Sequence, residues 1–155
     1  MFIRCSMPIM LLFILICSPM QAAQPPAGHE ALAGLKSAGV IFDVRVADPD
    51  TLIFNLKLFQ ETWEGIAAQG VQPEMVVAFR GPTVKLLTAA ALDDEAMELL
   101  RTLKKKGVRF EACGVAMRIF KTDPAGLIPE VKLVANVFLS LIGYQNKNYA
   151  MIAIN

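Results

Sequence analysis

The chain has 155 residues, with 15 lysines and arginines against 14 acidic residues, one histidine and a formal net charge of +1. That length suits one domain, and a composition 55% apolar excludes a disordered chain. The near-even charge shows no basic patch of the kind that binds nucleic acid.

Residues 1–24, MFIRCSMPIMLLFILICSPMQAAQ, have the three parts of a secretory signal. Arg4 supplies the positive start, residues 9–17 the apolar stretch, and Ala22 and Ala23 the small residues of a cleavage site. The stretch falls far short of the roughly 20 residues that span a bilayer, so no stable membrane span is expected once the leader is cut. Residues 1–23 are read as a signal peptide that sends the chain to the periplasm; an uncleaved N-terminal anchor is the alternative. Ile16 before Cys17 is too bulky for lipoprotein processing. Residues 24–38, with Pro25-Pro26 near their start, form a tether and short N-terminal segment, and 39–155 form the domain. Cleavage removes Cys5, Cys17 and Arg4. Fourteen charges of each sign remain, and Cys113 is the one mature cysteine, with no partner for an internal disulfide.

Strand-like and helix-like segments then alternate, the pattern of an α/β fold. Residues 40–47 form a strand with Val40, Phe42, Val44 and Val46 on one face and Asp43 and Arg45 on the other. Asp48 caps a helix begun by Pro49. Leu52, Leu56, Phe59, Trp63 and Ile66 make its apolar stripe, Gly70 ends it, and Asn55 and Lys57 fall off the stripe toward solvent or a neighbour. Residues 74–79 read as a central strand covered on both faces, followed by a short helix entered through Pro82. Asp93 or Asp94 caps a helix with Ala96, Leu100 and Leu103 inside. Lys104, Lys105 and Lys106 in its last turn read as a solvated end that complements the helix dipole, before Gly107 stops it.

The strand at 108–112 alternates again, with Arg109, Glu111 and Cys113 on its polar side, which suggests a position near an edge or a face turned to another subunit. A short helix at 116–120, a turn at 123–126 and a brief pairing at 133–134 follow. Asn136 caps a last helix carrying Phe138, Leu141 and Ile142, and the apolar residues 149–154 close the sheet.

The missing chemistry narrows the function. His29, the sole histidine, sits beside the tether, so a Cys–His nucleophile pair would need it to fold back across the domain. One cysteine and one remote histidine make no zinc site, no glycine-rich phosphate loop is present, and no cofactor is called for. What remains lies at carboxyl ends of strands, where open α/β sheets build their sites. Cys113 is the candidate reactive atom. Arg80 and Arg118 are candidate anion- or thiolate-stabilising cations, with Gly81 and Gly114 allowing close approach. Asn136, Tyr144 and Gln145 are candidate pocket residues. Positive charge beside a thiol raises its thiolate fraction. An inert, buried cysteine in a non-enzymatic binding or scaffold protein, and anion binding around Arg80, stay open beside this reading.

These residues carry a resemblance. Val76-Val77-Ala78-Phe79-Arg80-Gly81-Pro82, the run from Gly107 to Ala116 around Cys113, Leu127-Ile128-Pro129, Asn136, and Leu141-Ile142-Gly143-Tyr144-Gln145 leading to Tyr149-Ala150 resemble the DsrE/DsrF-like family. The resemblance implies a three-layer α/β/α sandwich on a mainly parallel sheet of about five strands, and assembly into trimers or hexamers. It also implies a sulfur-handling role for Cys113 as a persulfide carrier, with a sulfur-donor or acceptor protein as partner. The chain departs from the pattern in its export leader, its lack of a second, resolving thiol, and Asn148 where a glycine commonly stands.

Overall fold

The computed structural model describes residues 30–155; the leader with Cys5 and Cys17, most of the tether, and His29 lie outside them. Five strands form one sheet in the order β4-β3-β2-β1-β5. They are β1 (Ser37–Val44), β2 (Gln72–Phe79), β3 (Arg109–Cys113), β4 (Lys132–Val134) and β5 (Ala150–Ile154). Every strand pairing is parallel. The helices α1 (Pro49–Ala67), α2 (Asp94–Lys105), α3 (Gly114–Ile119) and α4 (Val137–Gln145) cover both faces, an α/β/α sandwich.

The first face is the larger. Phe42, Val44, Met75, Val77, Phe79 and Phe110 meet Leu52, Leu56 and Phe59 of α1 and Leu100 and Leu103 of α2. The Phe42 and Phe59 rings lie 4.3 Å apart. Each such buried side chain contributes about 1.5–3 kcal/mol by leaving water. The second face is thinner. Ile41, Val76, Ala78 and Cys113 lie under Ala116 and Met117 of α3 and Val137 and Leu141 of α4. Ile128 and Val131 then return the chain to the first-face core.

Local sequence accounts for the element ends. Asp48 accepts the Thr51 N–H at 2.7 Å, Asp93 that of Ala96 at 2.8 Å, and Asn136 that of Phe138 at 3.0 Å. Each satisfies an amide that the first helical turn leaves unpaired.

Several expectations change. β1 runs from Ser37 to Val44, earlier than residues 40–47 at both ends. Of the two settings expected for Asn55, solvent or a neighbour, the structure gives the buried one, and its amide donates to the Thr51 carbonyl at 2.8 Å. β3 does lie near an edge, one place in beside the three-residue β4, but Glu111 on its polar side is buried under α4. The lysine run is only partly solvated. Lys104 donates to the Pro129 and Glu130 carbonyls, and Lys106 pairs with Glu64 at 2.6 Å over the Trp63 ring. In α4, Val137 and Leu141 point inward, whereas Phe138 and Ile142 are exposed. β5 is an edge strand with Met151 and Ile152 exposed.

Candidate functional site

The register of the sheet builds the site. Val44 pairs with Phe79, and Phe79 with Ala112. One step farther along adjacent strands come Arg80 and Cys113, whose side chains therefore leave the same face at the carboxyl end, roughly 5 Å apart across the sheet. Asp43 lies on that face too, in register with Ala78 and, beyond it, Glu111.

Asp43 fixes Arg80. The guanidinium donates from Nε to Oδ1 at 2.6 Å and from Nη2 to Oδ2 at 2.8 Å, a fork geometry that sets orientation as well as charge. Asp43 is 6% exposed, so without Arg80 its charge would be buried unpaired. The Asp43 hydrogen bond first, then the charges of Asp43 and Cys113, raise the Arg80 pKa against the burial that lowers it. The guanidinium also lies 5.5 Å from the Phe138 ring centroid, a cation–π contact.

These groups line a pocket of about 180 Å³. Arg80 and Gly81 form one side, Cys113 and the Val115–Ile119 edge of α3 the other, and Asn136 and Phe138 at the start of α4 close it. Cys113 is 5% exposed and stands at the residue just before α3, with no side-chain hydrogen bond to the helix. Two glycines permit this packing. Gly81 has φ +60, and a Cβ there would meet Arg45 Cγ at 2.8 Å. At Gly114 a Cβ would stand 3.1 Å from the Val134 carbonyl oxygen, so a larger residue would push β4 away from the end of β3.

The structure thus brings together Cys113, Arg80, Gly81, Asn136 and, at the wall behind, Gly114. It places three candidates elsewhere. Arg118 is exposed and outside the pocket lining, because Val115, Ala116, Ile119 and Phe120 occupy the α3 side that faces it. Tyr144 lies eight residues beyond Asn136, about 12 Å along α4 toward the amino ends of the strands. There its hydroxyl donates to Glu111 Oε1 at 3.4 Å and its ring packs against Tyr149. Gln145 is exposed beside it. Sequence reasoning passed over Asp43 and Phe138. Asp43 left a signal: one acidic residue between apolar neighbours in a strand of an α/β sheet needs a counter-charge, and Arg80 directly follows the next strand.

A larger hollow of about 530 Å³ lies between α1 and β5 and shares no residue with this pocket. Its lining holds no thiol and no positive charge. Among the described residues no group of three or more His, Cys, Asp or Glu side chains could hold a metal ion.

The description "DsrE/DsrF-like family" matches residues 40–154, from the body of β1 through β5. The chain belongs to the DsrE/DsrF-like family. The sandwich is also similar to two solved structures. The protein of unknown function MTH1491 from Methanobacterium thermoautotrophicum has a TM-score of 0.64 at 20% identity, covering 76% of this chain and 99% of that one. The ychN protein from E. coli has a TM-score of 0.60 at 11% identity, with the same coverage. At these identities the likeness is one of fold. No curated protein matched the chain. In this DsrE-like chain, the segment implied by the resemblance, from Gly107 to Ala116, is the one that carries Cys113 to the pocket.

Proposed function

We propose that this DsrE-like protein is a sulfur carrier in which Cys113 accepts, holds and delivers sulfane sulfur. The observation that carries the reading is the placement of Cys113 on a pocket floor beside a guanidinium locked by Asp43. The Cys113 thiolate attacks the outer sulfur of a donor persulfide. A new S–S bond forms at Sγ, the donor S–S bond breaks, and the donor leaves as a thiolate that takes up a proton. Delivery to an acceptor thiol is the same exchange in reverse, with no net oxidation. Arg80 faces the anion in both states; Gly81 and Gly114 leave room for it. The small, largely apolar pocket admits a sulfur-bearing tip and keeps water scarce around the perthiolate. The leader at 1–23 supports a periplasmic setting, with donor and acceptor proteins in that compartment.

Intact mass after exposure to a low-molecular-weight persulfide tests the reading. A gain of one sulfur atom, reversed by a reductant and missing in Cys113→Ser, is the expected result. A wild-type protein that gains no sulfur sinks it.

The 5% exposure of Cys113 favours one rival, a binding or scaffold protein with an inert core thiol. Under that reading a thiol reagent reacts with Cys113 only when the protein is unfolded. Reaction with the native protein through the pocket rules the rival out.

A further inference from the structure

The hollow between α1 and β5, about 530 Å³, has the size of a binding groove and the lining of a core. Leu58 and Ile66 of α1 form one wall, Val40 and Ile152 of β1 and β5 the other, and the small Ala38 and Ala150 keep the floor low. Leu58 and Ile152 are 39% and 44% exposed. β5 is an edge strand whose five residues include no charge and no proline, the devices that usually protect such an edge.

Gly65, in the last turn of α1, also lines the hollow. Glycine weakens a helix relative to alanine, and no described neighbour requires it: a Cβ on Gly65 would meet nothing within 4 Å. Bare helix backbone of this kind is what another segment needs for a close approach.

We infer that the tether of this same chain, Gln24-Pro25-Pro26-Ala27-Gly28-His29, lies along the hollow and covers it. The point where the described chain begins selects this occupant. Ala31 and Leu32 of the opening turn Glu30–Leu32 line the hollow, so the residues just before them start at its rim. That turn leads into the amino end of β1, whose Ser37 pairs with Gln72 just beyond Gln69 of α1. The tether therefore enters at the Gln69 end and runs toward Leu58, bringing Pro26 and Ala27 to Gly65 and Pro25 to Leu58. Length agrees. From Gln69 to Leu58 the hollow follows α1 for about 16 Å, and six residues in the polyproline II form reach about 19 Å. Composition agrees as well. Proline rings dock in apolar grooves, and their fixed φ lowers the cost of ordering the segment. Glu61 is the one charged residue in the lining; the tether carries no acid to repel it, and protonated His29 has the opposite sign. The inference goes beyond the sulfur reading and does not rest on it, since the hollow shares no residue with the thiol pocket.

Nuclear magnetic resonance of the full chain, purified as the producing cell delivers it, tests this directly. Wild type is expected to show Overhauser contacts from the Pro25, Pro26 and Ala27 protons to the methyl groups of Leu58 and Ile152. His29 is the only histidine, so its ring signals are read singly, and they are expected away from the positions of an unfolded peptide. Gly65→Leu fills the hollow at a place with room for it and favours the helix, so it should fold by circular dichroism and lose the tether contacts. A second variant, Pro25→Ser with Pro26→Ser, leaves every lining residue in place and should lose them too. Tether contacts missing from wild type, or surviving in Gly65→Leu, would overturn the inference. So would contacts that a mixture of labelled and unlabelled protein shows to run between chains, or an apolar small molecule released from the hollow on denaturation. Persulfide loading is a separate measurement, so failure here leaves the sulfur-carrier reading to its own test.

Discussion

At the scale of single residues, the site rests on a buried ion pair. The Arg80 side chain is 22% exposed and that of Asp43 8%, so the pair is only partly screened. Breaking it in Arg80→Met leaves Asp43 without its counter-ion. Chemical denaturation is expected to show a loss of about 2 kcal/mol, below the figure for a fully buried pair because part of Arg80 meets water. Sulfur loading of Cys113 should slow several-fold in the same variant. Asn148 is a second residue whose role the structure explains. Its φ is +64, in the left-handed region that glycine occupies freely, which is why a glycine commonly stands there and why asparagine is an acceptable substitute. Asn148→Gly is expected to be neutral or to stabilise by about 0.5 kcal/mol, and Asn148→Val to destabilise by 1 kcal/mol or more in the same denaturation experiment.

At the scale of elements, the helices were legible in the sequence because their caps are chemical signals. Asp48 with Pro49, Asp93 and Asn136 each announced a start that the structure reproduces. Strand surroundings were harder to read. The polar alternation of Arg109, Glu111 and Cys113 suggested a place near an edge, which β3 has beside β4, yet Glu111 is buried beneath α4, where it accepts from Tyr144. Parity tells which side chains share a face but not what covers that face, since the cover is supplied by a helix 26 to 34 residues away. The buried side of α4 was not legible for a related reason: with apolar residues at 137, 138, 139, 141 and 142, periodicity cannot separate the buried side from the exposed one. Asn136 both caps α4 and lines the pocket. Replacing it with alanine should cost about 1 kcal/mol in thermal or chemical denaturation, the usual effect of losing a cap. Some loss of Cys113 loading should accompany it, because the start of α4 forms one pocket wall.

At the scale of the molecule, five parallel strands and two unequal helical layers follow from alternating patterns that the sequence displays openly. The juxtaposition of Arg80 with Cys113 does not, because it depends on the inter-strand register of β2 and β3. A polar network ties the amino end of the sheet together across long chain separations. The Tyr149 hydroxyl donates to Glu74 at 2.6 Å and accepts from Arg109 at 2.9 Å. Burial first, then the bond to Glu74, raise the Tyr149 phenol above its usual 10.0, with Arg109 opposing. Burial and the Glu111 charge raise Tyr144 likewise. The folded chain therefore holds these protons more tightly than the unfolded chain. Their contribution to stability is complete below pH 10 and is lost as pH climbs from there through the raised values. Melting temperature should fall steeply above about pH 10, and less steeply in Tyr149→Phe. An equal fall in both proteins would remove Tyr149 from the account.

The central claim is that Cys113 is a working thiol facing a locked guanidinium, and the amount of sulfur it takes up from a persulfide donor tests it most directly. Intact mass of the native protein, with time, is predicted to show one reductant-labile sulfur on wild type, slower uptake in Arg80→Met and none in Cys113→Ser. A wild-type protein that stays at its unmodified mass, or a Cys113→Ser variant that gains sulfur as fast as wild type, contradicts it.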